Sequence, residues 1–486
     1  MSRSPNVEIP NQNCDTVNLM PHEAKRLFGT DGIRGKAGAF PLDSRTVRVI
    51  GGSLARRLVP LTGSGSPRIV VGRDTRESGP SIERELIAGA RQCGANVQSA
   101  GVITTPGVAF LTRALPADAG VVISASHNPF EDNGIKVFDP SGRKLDDATE
   151  RLIETDIAAA MATTASDQDP GKNDPEQALS LVGFEDGNAP ALHRRYLDYL
   201  AHEVAGDLSL ASLTVVVDCA NGAAYELAPQ LFTRLGARVI SINNEPDGRN
   251  INRDCGSLHI DGLSRQVIGT GADLGVAFDG DADRALFVDA AGIFVDGDAT
   301  MWVMARYMQG RGQLTDDTVV ATVMSNIGLE IALRSCGIKL IRADVGDKYV
   351  LEELLRRGAN LGGEQSGHII FPRLSLAGDG LITTVLLLRA MRDQDKSLSE
   401  LTRDFHRFPQ VLVNVRVREK RPFEELSPVK RQVEEIEAKL GSRGRLLLRY
   451  SGTEPLARIM LEGERQDEID TFAHLLARKL KDELGE

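Results

Sequence analysis

Three stretches of this chain share one joint. In LIAGARQCGANVQSAGV (86–102), APQLFTRLGARVISI (228–242) and EIALRSCGIKLIRAD (330–344), a helical pattern stops at a glycine and a short strand begins within two residues. Gly94, Gly236 and Gly337 are the stops, because glycine enters the left-handed backbone region without a Cβ clash. Each helix follows an apolar strand of its own, at 68–72, 213–218 and 318–324. Strand, helix, glycine, strand is a βαβ unit, and continuous apolar runs fit strands covered on both faces. The irregular spacing of the three units excludes a solenoid and predicts three α/β domains of similar plan.

The last part reads differently. An alternating strand (411–417), an amphipathic helix (428–441), two strands around SGTEP (451–455) and a final helix (467–484) give the order β-α-β-β-α. The expected fold is therefore three similar α/β domains with mixed sheets plus a C-terminal α+β domain, arranged around a central cleft. Its expected divisions are a disordered leader at 1–24, then domains at 25–182, 183–275, 276–400 and 401–486. A chain of 486 residues is long enough for that many cores. The leader lacks the apolar stretch of a signal peptide. The apolar run LITTVLLLRAM is too short to span a membrane and is broken by Arg389. Five scattered cysteines form no CxxC pair, which argues against a zinc knuckle or a disulfide framework and for a reduced, cytoplasmic protein. The net charge of -11 makes a nucleic-acid surface a poor expectation.

Chemistry concentrates where strands end, the usual place for ligands in an open α/β sheet. VVISASHNPFEDNGIK (121–136) runs from a buried strand straight into Ser124, Ser126, His127 and Asn128. Pro129 keeps Asn128 out of helical geometry, so Ser126 to Asn128 must sit in a tight loop. Such residues also form ordinary turns. An acyl-transfer triad does not fit, since no G-x-S-x-G elbow surrounds Ser126. A phosphorylated serine would need a metal or cationic partner.

GVAFDGDADRALFV (275–288) supplies one. Asp279, Asp281 and Asp283 stand two residues apart at the end of an apolar strand. Carboxylates this crowded repel one another, and a hard cation such as Mg²⁺ compensates them. An EF-hand is excluded, because the sixth position counted from Asp279 is Arg284 and the twelfth is Ala290. Four further loops carry polar groups. RLFGTDGIRG (26–35) offers glycines and Arg34, and VGRDTRESG (71–79) offers Arg73 and Arg76, which structural salt bridges would explain equally well. GGEQSGHIIF (362–371) sets out Glu364, Ser366 and His368, groups suited to sugar hydroxyls and, for the histidine, to acid–base work. RYSGTEPLAR (449–458) puts two guanidinium groups and two hydroxyls around a turn, a sensible phosphate nest.

Taken together, ISASHNP (123–129), DGDADR (279–284), GEQSGH (363–368) and SGTEP (451–455) resemble the signatures of the α-D-phosphohexomutase family, over roughly residues 25–486. FGTDGIRG (28–35) and the glutamine of GEQSGH resemble its glucosamine branch. The resemblance implies interconversion of glucosamine 6-phosphate and glucosamine 1-phosphate, through a phosphoserine and a glucosamine 1,6-bisphosphate that also serves as activator. It implies that Ser126 is phosphorylated by a kinase or by the bisphosphate itself, and that Ser126, Asp279, Asp281 and Asp283 hold Mg²⁺. It places Arg34, Lys136 and His368 in phosphoryl transfer and proton handling. His127, Arg284, Glu364, Ser366, Arg449, Ser451, Gly452, Thr453 and Arg458 become substrate contacts. Tyr450 departs from the proline or alanine of many relatives. The implied role is to supply UDP-N-acetylglucosamine for peptidoglycan, with small sugar phosphates as partners, no nucleic acid or membrane, and a homodimer left open. The same chemistry on glucose or mannose phosphates, and a metal-dependent phosphohydrolase, are the alternatives.

Overall fold

The computed structural model describes residues 26–62, 65–163, 188–451 and 454–485. The expected leader and the divide at 182/183 lie outside them. Four sheets follow one another along the chain. The first contains β1 (Phe28–Gly29), β2 (Gly32–Lys36), β3 (Arg68–Arg73), β4 (Asn96–Val102), β5 (Ala119–Ile123) and β6 (Asp132–Phe138), in the order β1-β2-β6-β5-β3-β4. The second contains β7 (Thr214–Asp218), β8 (Arg238–Ile242), β9 (Leu274–Phe278), β10 (Ala285–Asp289) and β11 (Phe294–Val295), ordered β11-β10-β9-β7-β8. The third contains β12 (Thr318–Thr322), β13 (Lys339–Ala343), β14 (Gly362–Gly363) and β15 (Ile369–Ile370), ordered β13-β12-β14-β15. The last is antiparallel, with β16 (Gln410–Arg416), β17 (Arg445–Tyr450) and β18 (Leu456–Glu462) ordered β16-β18-β17.

The repeated joint is present three times. β3–β4, β7–β8 and β12–β13 are parallel pairs, and each crossover helix ends at its glycine. Gly94, Gly236 and Gly337 have φ of +85°, +97° and +73°. The next residue donates five positions back in each case: Ala95 to Ala90, Ala237 to Phe232 and Ile338 to Leu333, at 3.0–3.1 Å. These are Schellman caps, which give the last helical carbonyls a partner and turn the chain toward the sheet. Antiparallel strands complete the first three sheets, so they are mixed.

Two expected divides move. The divide at 275/276 falls inside β9, which pairs with β7 from Val215↔Leu274 onward. β10 then folds back on β9, so the aspartate loop between them belongs to the second sheet. The hairpin stays there because both strands are buried along their whole length. The divide at 400/401 cuts the helix Leu398–Thr402, and the C-terminal sheet begins only at Gln410.

The first three domains share apolar packing: one cluster runs from Val70 and Leu111 through Val215 and Phe278 to Val319 and Leu388. The C-terminal domain has its own core around Ile459, Ile469 and Leu476. A buried polar knot ties it to the third domain. Glu462 accepts from Ile327 N at 3.0 Å, Gln410 Nε2 at 2.8 Å and Arg445 Nε at 3.0 Å. Asn326 exchanges hydrogen bonds with the backbone of Phe408, at 2.9 and 3.0 Å. Burial raises the pKa of Glu462, and Arg445 opposes that rise. Glu462→Ala would leave the Arg445 guanidinium half-sequestered without its carboxylate, at a cost of about 3 kcal/mol to this junction. Calorimetry is expected to show the C-terminal domain melting ahead of the rest; one unshifted transition would refute the role given to Glu462.

Candidate active site

Ser126 follows β5 in a left-handed conformation, φ +52°, which a non-glycine residue holds only when its surroundings fix it. Arg76 does the fixing. Its guanidinium is fully buried, pairs with Asp74 at 2.9 Å and donates to the carbonyls of Ser126 and Asn128 at 2.9 Å and of Asp132 at 3.1 Å. It also donates to the carbonyl of Pro129. Asn252 from the second domain donates to the Ser126 carbonyl at 2.9 Å. Arg76 is thus the frame of the serine loop. Arg73 pairs with Glu83 at 2.9 Å, the structural salt bridge that its sequence context allowed.

The serine hydroxyl donates to Asp279 Oδ2 at 2.6 Å. Asp279, Asp281 and Asp283 are all buried, and one ligand oxygen from each lies within 4.8 Å of the others. The loop accommodates this through Ala282 at φ +55°. Gly280 lets it approach the serine, since a Cβ there would sit 2.5 Å from the Ser126 carbonyl oxygen. Asp281 Oδ2 accepts from Thr105 Oγ1 at 2.6 Å and Lys136 Nζ at 2.8 Å. Its other oxygen is buried with no hydrogen-bond partner, and Oδ1 of Asp283 is buried with no hydrogen bond and an ion-pair neighbour only in His368 Nδ1 at 3.5 Å and Arg284 Nε at 3.8 Å. Orphaned carboxylate oxygens beside a serine hydroxyl fit a hard divalent cation, with Ser126, Asp279, Asp281 and Asp283 as its all-oxygen set.

Charge around this centre follows burial and crowding. Burial and the two neighbouring carboxylates raise the pKa of Asp279 well above the ordinary range. Burial pushes Asp283 up as well, but Lys136 and His368 outweigh it and hold it down. Burial would depress Lys136, yet Asp281, Asp31 and Asp283 raise it. His368 is buried between Asp283 and Asp347, and against the pull of burial these carboxylates lift it to about 9. Burial and Arg284 lower His127 to about 4. Its Nδ1 accepts from Arg284 Nη1 at 3.0 Å and lies 3.2 Å from Ser126 Oγ.

Most of the residues singled out in the sequence converge. A cavity of about 600 Å³ is lined by Arg34, His127, Asp283, Arg284, Glu364 and His368. Arg34 reaches it from β2, where it lies opposite Gly134 of β6, and pairs with Asp31. Lys136 comes from the middle of β6, in register with Val122 of β5. Ser366 donates to Glu364 at 3.2 Å and lines an adjoining cavity of about 390 Å³. The phosphate-nest residues are not brought to this site. Arg449 and Arg458 are directly opposed on β17 and β18. Like charges so placed repel, and a bound anion would relieve them. Arg458 pairs with Glu454 at 2.9 Å, and the Ser451 carbonyl accepts from Lys420 at 2.5 Å. Gly452 and Thr453 lie outside the described residues. Tyr450 stacks on Phe423, with ring centroids 4.2 Å apart, and faces its own domain. Thr105, Asn252, Asp31 and Asp347 were not anticipated in these roles. Asp31 stands inside a loop already singled out, whereas nothing near Thr105 or Asn252 in sequence marks them.

Family models for phosphoglucomutase/phosphomannomutase match almost the whole chain: α/β/α domain I at 25–164, domain II at 194–292, domain III at 296–408 and the C-terminal domain at 412–479. The chain belongs to the α-D-phosphohexomutase family. Among its relatives, the phosphoglucosamine mutase of Solibacter usitatus is 48% identical over 463 residues, covering 95% of this chain and 100% of that protein. That of Desulfovibrio desulfuricans is 46% identical over 465 residues, covering 95% and 100%. A phosphoglucomutase/phosphomannomutase family protein from Burkholderia thailandensis shares the fold with TM-score 0.73 at 23% identity, over 94% of this chain and 98% of that one. Aspergillus fumigatus N-acetylphosphoglucosamine mutase, solved with GlcNAc-6P and magnesium, shares it with TM-score 0.59 at 19% identity, over 94% and 95%. The activity supported at family level is phosphohexomutase catalysis.

Burial, and then crowding, favour the protonated form of Asp279, whereas a cation binds the deprotonated carboxylate. Affinity for a divalent cation is therefore expected to fall as pH is lowered, with protons released on binding. Calorimetric titration in two buffers measures both; a pH-independent affinity would contradict the raised Asp279. Gly280→Ala would force the aspartate loop off the serine loop, and a loss of cation affinity with the fold retained is the expected result.

Proposed function

We propose that the protein interconverts glucosamine 6-phosphate and glucosamine 1-phosphate through phosphorylated Ser126 and glucosamine 1,6-bisphosphate. The observation that carries this is the serine hydroxyl 2.6 Å from Asp279 of a buried three-carboxylate cluster, whose Asp283 lines a cavity of about 600 Å³. The full-length likeness to phosphoglucosamine mutases supports the amino sugar over other hexoses.

On this reading the distal phosphate of glucosamine 6-phosphate is held by Arg449, Ser451 and Arg458, with Gly452 and Thr453 of the same turn. The C1 hydroxyl attacks the phosphoserine. The bond from phosphorus to Ser126 Oγ breaks as the bond to the sugar oxygen forms, and the hydroxyl proton leaves to a basic group of the cleft. Lys136 and His368 border the transfer, and the carboxylates around them hold both protonated, so they are placed to give a proton to the departing Ser126 oxygen. Arg284 and Arg34 face the phosphoryl oxygens, while Glu364 and Ser366 orient the sugar hydroxyls. Bound Mg²⁺ would neutralise charge on the transferring group. The bisphosphate then turns over, so that its 6-phosphate faces Ser126 and is returned to it. One clamp must accept either end, which suits two opposed arginines more than a shape-specific pocket. The first phosphoryl group comes from a kinase or from the bisphosphate, the product feeds UDP-N-acetylglucosamine and peptidoglycan, and the cytoplasm is the expected compartment.

Purified protein with Mg²⁺, glucosamine 6-phosphate and a trace of the 1,6-bisphosphate is expected to yield glucosamine 1-phosphate with little free phosphate. Ser126→Ala is expected to lose activity by at least a thousandfold, on the order of removing a nucleophile. Glucose and mannose phosphates run in parallel would rank the sugars. Free phosphate as the main product would replace the mutase with a phosphohydrolase.

A further inference from the structure

We infer that Lys144, acting with Asp31 and Asp347, is a positioning residue for the transfer site; this rests on the mutase reading above. Six buried or half-buried groups form a closed ring in which carboxylates alternate with nitrogen groups. Lys136 Nζ lies 3.2 Å from Asp31, Asp31 lies 2.6 Å from Lys144 Nζ, and Lys144 lies 2.7 Å from Asp347. Asp347 lies 3.6 Å from His368 Nε2, His368 Nδ1 lies 3.5 Å from Asp283, and Asp283 lies 3.4 Å from Lys136. Lys136, His368 and Asp283 face the reaction. The other three do not belong to the metal set, and Lys144 joins them across two domains.

Lys144 follows β6 in the first domain, whereas Asp347 opens the helix Asp347–Arg357 in the third. Their contact fixes the side of Asp347 that His368 sees. Gly378 packs close against the same Nε2 end of the ring, since a Cβ there would lie 2.3 Å from His368 Nε2. Lys144 also shares Asp31 with Lys136, so its loss would leave Asp31 free to draw Lys136 away from Asp281. Behind the ring lies a second cavity of about 270 Å³, lined by Lys144, Asp147, Lys348 and Gly378. Asp283, Asp347 and His368 border both cavities. The ring is therefore the partition between the back cavity and the transfer site. Opening it would admit water, whose oxygen can attack the phosphoserine, breaking the bond to Ser126 Oγ and releasing inorganic phosphate.

The test compares Lys144→Ala and Lys144→Arg with Lys348→Ala. Lys348 lines the same back cavity and pairs with Asp147 across the same two domains, outside the ring. Lys144→Ala is expected to lower kcat by about tenfold to a hundredfold, the scale of a misplacement near 1 Å, with KM within about threefold. The share of turnovers ending in free phosphate should rise, and Lys144→Arg should restore most of kcat. Lys348→Ala should leave both near the parent values. Equal losses in Lys144→Ala and Lys348→Ala, or an effect on KM alone, would overturn the inference. If the alanine variant does not fold, the near-isosteric Asp347→Asn removes the charge that Lys144 and His368 share and is judged by the same split. If the parent protein turns over no hexose phosphate, the mutase reading fails separately. Crystal structures of parent and variant then decide the positioning role: an unmoved His368 ring overturns it, and a displaced one supports it.

Discussion

Three carboxylates crowded into a buried loop set the terms for the rest of this molecule. Left alone, Asp279, Asp281 and Asp283 would repel one another, and burial makes that repulsion stronger. Their compensation comes from every side: the Ser126 hydroxyl, Lys136 and Thr105 from the first domain, and His368 from the third. The second domain, which owns the carboxylates, cannot neutralise them by itself. This explains why the first three domains share one apolar cluster, since only fixed relative placement keeps a buried ammonium within 3 Å of a buried carboxylate.

The serine is held as tightly as the metal loop. A left-handed Ser126 costs of order 1–3 kcal/mol unless the surroundings over-determine it. Arg76 and Asn252 grip its carbonyl from two domains, and Gly280 allows the aspartate loop to lie against it. The serine is therefore placed by its backbone, which leaves its hydroxyl free to meet Asp279. The C-terminal domain stands apart from this economy. It has its own core and meets the third domain through the knot at Glu462, and its opposed arginines face no partner in the transfer site.

Much of this was legible in the chain. The strand–helix–glycine–strand joints read correctly because a Schellman cap is a local event: a glycine, a hydrogen bond five residues back and an apolar strand to follow. The serine and aspartate loops were legible because each packs its chemistry into a few consecutive positions. The divide placed before Asp279 was not, because the strand that follows the loop pairs with the one before it, and an apolar run carries no mark of which sheet it joins. Arg76 read equally well as a phosphate ligand or a salt bridge. The structure decided for support, since its five donors are spent on Asp74 and four backbone carbonyls.

By itself the sequence determined the number of α/β units, the serine and its loop, the oxygen character of the metal site and the basic nest near the C-terminus. These depend on neighbours within a few residues, where spacing and residue type suffice. Only the tertiary structure decided that Lys136 reaches Asp281 across 145 residues, that Thr105 supports the same carboxylate, and that Asp31, Lys144 and Asp347 close a ring with His368. Charge acts through space and falls off over a few ångströms. Which charges meet is therefore settled by the packing of domains, a property that no short stretch of the chain contains.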